Sequence, residues 1–189
     1  ATAQAVGSKK GVIRETALDI TSGEMVKIPA FWMYYIWAIL LSAAGLVLVS
    51  QASGIAGQIG TNISDGGIAT VVGLISILNG IGRLIFGAVF DKKGYRLTMI
   101  VVMVIFVAAA LCLILALMSG QFLLIILGFM IGGLAYGGVM PTNSAIISDF
   151  FGRTNYAMNY SLINTNLIIA SVASTIAGRL YDISQSYMS

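Results

Sequence analysis

Residues 67–90 form an uncharged apolar run interrupted by one cation, Arg83, with an amide, Asn79, four positions before it. Residues four apart share one face of a helix, so the amide can brace the guanidinium or share a ligand with it. A guanidinium presents a planar fork of N–H donors that suits a carboxylate. In lipid an ionised side chain costs at least about 2.5 kcal/mol, so Arg83 needs a partner, a watery cavity or a substrate. It stands about 12 Å along a helix axis from Asp91 at the helical rise per residue, which is far for its stem to reach the headgroups. Two readings stand: a packing arginine satisfied by backbone carbonyls or a helix end, and an anion site. No acid within the apolar runs offers itself as a permanent partner, which favours the anion site.

Other chemistry is poorly provided for. Cys112 is the only cysteine and histidine is absent, so an intrachain disulfide, a thiol metal site and the histidine-based zinc and proton-relay constellations cannot be assembled. No nucleophile and base pair or phosphate loop stands out. We expect no enzyme, no cofactor and no bound metal. Basic residues occur at the borders of apolar runs rather than as a stripe, so nucleic acid is not an expected partner.

The elements that must position Arg83 follow from composition. Of the 189 residues, 58% are hydrophobic and 9% charged, and the mean hydropathy is +0.96. Those values place the chain among polytopic membrane proteins. A hydrocarbon core of about 30 Å needs about 20 apolar residues in a helix, and charge and Gly/Pro punctuation mark five such stretches: about 29–52, 67–90, 97–118, 122–141 and 156–180. The expected fold is therefore an all-α, polytopic membrane bundle over 29–182. A polar cytoplasmic segment, 1–28, precedes it with no apolar core of signal-peptide type, and a tail, 183–189, follows outside. Trp32 and Trp37 in the aromatic start of the first span read as an interfacial belt.

Orientation follows from the cations. With the N-terminus inside, Lys9, Lys10, Arg14, Lys27, Lys92, Lys93, Arg96 and Arg153 all fall on the cytoplasmic side, and only Arg179 falls outside. The positive-inside rule favours that arrangement over its reverse.

Small and polar residues recur along the second span at Ala69, Gly73, Ser76, Gly80, Arg83, Gly87 and Asp91. Spacings of three and four put them on one face, which is expected to point inward. The fourth span is rich in glycine, which lets helices approach closely in lipid. Tyr136 and Asn143 are its polar candidates, Tyr136 being favoured by depth. In the fifth span Asn164 reads equally as cavity lining or as interhelical glue.

The run GAVFDKKGYR at 87–96 resembles the cytoplasmic loop signature of the major facilitator superfamily. With NGIGR at 79–83, YGGVMP at 136–141, DFFG at 149–152 and the opening GEMVKIPAFW, the chain resembles the oxalate/formate antiporter family within that superfamily. The resemblance covers about 24–182. It implies helices seven to eleven of a twelve-helix transporter, with the N-terminal six-helix half and the last helix lying elsewhere, either because this is a fragment or because the product is truncated. Two halves of such a fold rock about a midplane site.

The resemblance further implies that Arg83 binds carboxylate, and that Gly87, Asp91, Gly94 and Arg96 control closure on the cytoplasmic side. It places Leu167 where oxalate carriers have a lysine. One cation from this half better balances a monocarboxylate such as formate, pyruvate or lactate. The expected reading is a multi-pass cell-membrane transporter of small organic anions, with a proton or counter-anion as coupled partner and Arg83, Asn79, Tyr136 and Asn164 as substrate contacts. Rival readings are a transporter-like sensor that binds without transporting, and a nonfunctional truncated product.

Overall fold

The computed structural model describes residues 19–60, 62–184 and 186–187. Among these residues the regular structure is entirely helical: α1 (Ser22–Met25), α2 (Pro29–Ile59), α3 (Asp65–Lys93), α4 (Tyr95–Ser119), α5 (Phe122–Phe151), α6 (Tyr156–Asn164) and α7 (Asn166–Ser184). Helices α2, α3, α4 and α5 are each long and apolar enough to cross a membrane, and α6 with α7 makes a fifth such stretch. Most of the cytoplasmic segment expected at 1–28 lies outside the described residues. The orientation of the bundle in a membrane remains an expectation from charge.

Local chemistry sets the helix ends. Pro29 opens α2 at a position where its missing N–H costs nothing. Ser64 caps α3 by accepting from the Gly67 amide at 3.3 Å. Gly94 closes α3 and begins α4 at φ 80°, a backbone region that glycine enters without strain. The helices overrun the expected spans. α2 continues past Ala52 to Ile59 because the small residues there sit within a regular helix, and Gly54 makes room for the Tyr187 hydroxyl, which would lie 2.1 Å from an added Cβ. α5 continues through Pro141 to Phe151.

α5 is the centre of the bundle, and its glycines explain why. An added Cβ on Gly133 would lie 2.9 Å from the Ile75 Cα, and one on Gly137 would lie 2.2 Å from the Asn79 carbonyl oxygen and 2.9 Å from the Gly82 Cα. α3 and α5 thus touch backbone to backbone. On its other flanks α5 receives α4 through Gly128 against Leu113, and α2 through Gly132 against Leu48. α4 leaves much of its surface to the surroundings, with Ile100, Val104, Leu111 and Met118 exposed, as suits a helix facing lipid.

The segment before α2 is tied to the turn between α5 and α6. Asp19 accepts from the Thr154 amide at 3.1 Å and from its hydroxyl, the Ile20 carbonyl accepts from Asn155 and Asn159, and Ser22 donates to Asn159 at 2.6 Å. Met25 is fully buried with Phe31 and Ile147. These Thr154 contacts, the hydroxyl first, hold the Asp19 carboxyl below its ordinary pKa.

The fifth span is interrupted at one residue, Thr165, which keeps helical backbone angles (φ −61°, ψ −15°). α6 stops at Asn164 and α7 starts at Asn166. At the joint, the Thr165 hydroxyl meets the Tyr35 hydroxyl at 2.6 Å and donates to the Leu162 carbonyl at 2.7 Å. Such local side-chain bonds compete with the helical ladder. Farther along, α7 lies on α2, with Ser174 donating to Ser50 at 2.7 Å and the Tyr187 hydroxyl donating to Gln51 at 3.1 Å.

Candidate functional site: a cationic cavity between α2, α3 and α5

The α3–α5 contact dictates where Arg83 goes. Ile75, Gly82, Phe86 and Phe90 are buried on the packed side of α3, which leaves Ser76, Gly80 and Arg83 on the adjoining side. There a cavity of about 460 Å³ is lined by Val49, Ile75, Ser76, Asn79, Gly80, Arg83 and Tyr136. Arg83 is its one charged residue. The Arg83 Nε donates to the Asn79 Oδ1 at 3.2 Å, and among the described residues that amide is the guanidinium's hydrogen-bonding side-chain partner. An arginine braced through one nitrogen keeps its two terminal nitrogens available for a planar acceptor.

Three of the four expected substrate contacts, Arg83, Asn79 and Tyr136, therefore line one cavity. Asn164 stands apart from it, at the end of α6 beside the joint, half-buried and with its side-chain oxygen lacking a protein partner. Asn143, weighed beside Tyr136, is fully buried and its Oδ1 accepts from the Tyr34 hydroxyl, so it ties α5 to α2. Val49, Ile75, Ser76 and Gly80 complete the lining. Ser76 and Gly80 were legible as members of the Arg83 stripe, whereas Val49 carries no signal of its own.

The stripe itself faces differently from expectation. It is the open side of α3: a Cβ added to Gly73 or Gly80 would meet nothing within 4 Å, and one on Gly87 would meet only the Pro141 side chain at 3.9 Å. The packing face is a neighbouring one centred on Gly82, chosen because α5 offers Gly133 and Gly137 to it. At the turn between α3 and α4 Asp91 is exposed and is not joined to Arg96. Arg96 instead donates from Nε to the Tyr95 hydroxyl at 3.0 Å and lies 5.7 Å from that ring's centre. Gly94 makes the reversal.

Five apolar helical stretches long enough to cross a membrane define a multi-pass membrane protein, with a lone cation lining a lateral cavity. The chain belongs to the Major Facilitator Superfamily, whose family model matches residues 3–177. It is 26% identical over 169 residues to an uncharacterized MFS-type transporter, YhjX, of Escherichia coli, covering 89% of this chain and 40% of that protein. It is 31% identical over 169 residues to the oxalate:formate antiporter of Oxalobacter formigenes, covering 88% of this chain and 39% of that one. Multidrug resistance protein D of Escherichia coli is 29% identical over 122 residues, 64% of this chain and 30% of its own length. The chain thus spans about two fifths or less of these relatives. No solved structure matches it.

Proposed function

We propose that this chain forms part of the C-terminal half of a secondary transporter for small organic anions, working by alternating access in the cell membrane. The observation that carries this reading is Arg83, braced by Asn79 and the single charge of a 460 Å³ cavity. Arg83 is exposed on the open face of α3 and the cavity lining holds no acidic side chain, so its charge is available to an anion. The relative named an oxalate:formate antiporter supports the carboxylate class. Leu167, a neutral residue in α7, and the single cation in the cavity favour a monocarboxylate such as formate, pyruvate or lactate over the dianion oxalate.

In this proposal the open face of α3 looks toward the remaining half of the longer transporter, which supplies the opposite wall. Asn79 and Tyr136 orient the carboxylate at Arg83, and Gly87, Asp91, Gly94 and Arg96 form the cytoplasmic gate. A proton or counter-anion completes the cycle. The N-terminal end of this chain lies in the cytoplasm.

The test is uptake of labelled mono- and dicarboxylates into proteoliposomes by the complete transporter, with and without Arg83→Gln. Saturable monocarboxylate uptake that the substitution reduces by at least about tenfold supports the reading, charge-assisted bonds being worth about 1.5–3 kcal/mol each. Equal uptake by the variant overturns the role of Arg83.

A further inference from the structure

Gly45 stands in the middle of α2, where glycine costs about 0.5–1 kcal/mol of helix stability relative to alanine. Its surroundings show what offsets that cost. An added Cβ would lie 2.0 Å from the Cδ2, 2.4 Å from the Cε2 and 2.5 Å from the Cγ of Tyr136. The Tyr136 ring therefore lies flat in the space that any other residue at 45 would fill. Turning the ring about its own axis offers no relief, because Cγ itself is inside the contact.

The backbone of Tyr136 cannot retreat either. Its neighbours Gly133 and Gly137 press α5 against the α3 backbone at Ile75, Asn79 and Gly82. A ring driven off α2 must swing to the free side, and that side is the cavity whose other wall holds Ser76, Asn79 and Arg83.

We propose that Gly45 is a positioning residue that sets substrate size: by lacking a side chain it keeps the Tyr136 ring against α2 and so fixes the width of the cavity opposite Arg83. The proposal rests on the Arg83 cavity being the anion site. Gly45 touches no ligand and acts through Tyr136 alone. A side chain at 45 narrows the site and excludes longer anions first, while the guanidinium continues to hold the carboxylate end.

The experiment uses the complete transporter in proteoliposomes. Arg83-dependent uptake of a labelled carboxylate is competed with unlabelled straight-chain monocarboxylates from formate to hexanoate, for the parent, Gly45→Ala, Tyr136→Ala and the double variant. For Gly45→Ala, competition by the longest acids that the parent recognises is expected to weaken by about tenfold or more, the scale on which apolar pockets discriminate single methylenes, while formate is little affected. The double variant is expected to reproduce the length profile of Tyr136→Ala, since the alanine at 45 then has no ring to displace. A parent-like profile for Gly45→Ala overturns the proposal. So does a double variant whose profile differs from Tyr136→Ala, a comparison that decides the matter even where Gly45→Ala alone fails to fold. Loss of Arg83 dependence in the parent protein, by contrast, removes the anion site itself and this inference with it.

Discussion

The two glycine-bearing faces of α3 have opposite fates. On one, Gly82 lies so close to α5 that an added Cβ would be 2.2 Å from the Leu134 carbonyl oxygen. On the other, Gly73 and Gly80 look into open space, Gly80 beside Arg83. The second set belongs to a stripe spaced for a helix face that reads as small-residue packing, whereas Gly82 stands alone among large buried residues on the first. What separates them is the partner: only the first meets a complementary glycine surface, Gly133 and Gly137. Glycine in a membrane helix thus marks room for a backbone in one case and room beside a charge in the other, and the difference lies in the neighbouring helix.

The largest effect should come from filling the packed face. Gly137→Val places its Cβ against the Asn79 carbonyl oxygen, 2.2 Å away, where neither backbone can yield. Overpacking of a tight interior typically costs about 1–3 kcal/mol and occasionally more, and a backbone clash belongs at the upper end. Thermal unfolding of the complete transporter in detergent should show a large loss of stability or no folded protein. Near-parental stability would mean that α3 and α5 are not seated on their glycines.

Filling the open face should do the reverse. Gly80→Ala meets nothing within 4 Å, so it should leave stability unchanged or raise it by up to about 1 kcal/mol through helix propensity. Carboxylate affinity should nevertheless fall, because the methyl group enters the Arg83 cavity. A destabilised Gly80→Ala protein would show that this face is packed in the complete protein and would erase the contrast between the two faces.

The smallest effect concerns the segment that leads into α2. The Asp19 pKa is lowered by its Thr154 contacts, so Asp19 binds its proton less readily when docked. Its contribution is fully present above the ordinary carboxylate pKa and is lost as pH falls through the lowered docked value. Docking of residues 19–28, followed by amide exchange, should be constant near neutral pH and loosen only in strong acid. Asp19→Asn should reduce that acid dependence, leaving the part contributed by the Glu24 carboxylate, whose pKa its Thr21 bonds also lower.

Much of the fold was legible because charge and proline punctuate apolar runs. Arg83 and Asn79 were legible as a pair because their spacing alone places them together, and Tyr136 because of its depth in the fourth span. The helical continuation of α2 beyond Ala52 was not, since its Ser- and Gly-rich sequence reads as a loop until the seat that Gly54 makes for Tyr187 is known. Nor was the turn at Thr165, where the Tyr35 hydroxyl of α2 meets the Thr165 hydroxyl. Gly45 gives no local sign of its role. Its meaning comes from a tyrosine that lies far along the chain.

The most direct test of the Arg83 cavity as an anion site is thiol protection. With Cys112 and any other native cysteines replaced, Gly80→Cys is introduced into the complete transporter and reacted with a membrane-impermeant thiol reagent, with and without saturating formate. The expected result is measurable labelling that formate slows, with the protection lost when Arg83→Gln is added. Labelling that formate leaves unchanged, or protection that survives Arg83→Gln, would contradict the assignment of this face of α3 as the place where the anion is held.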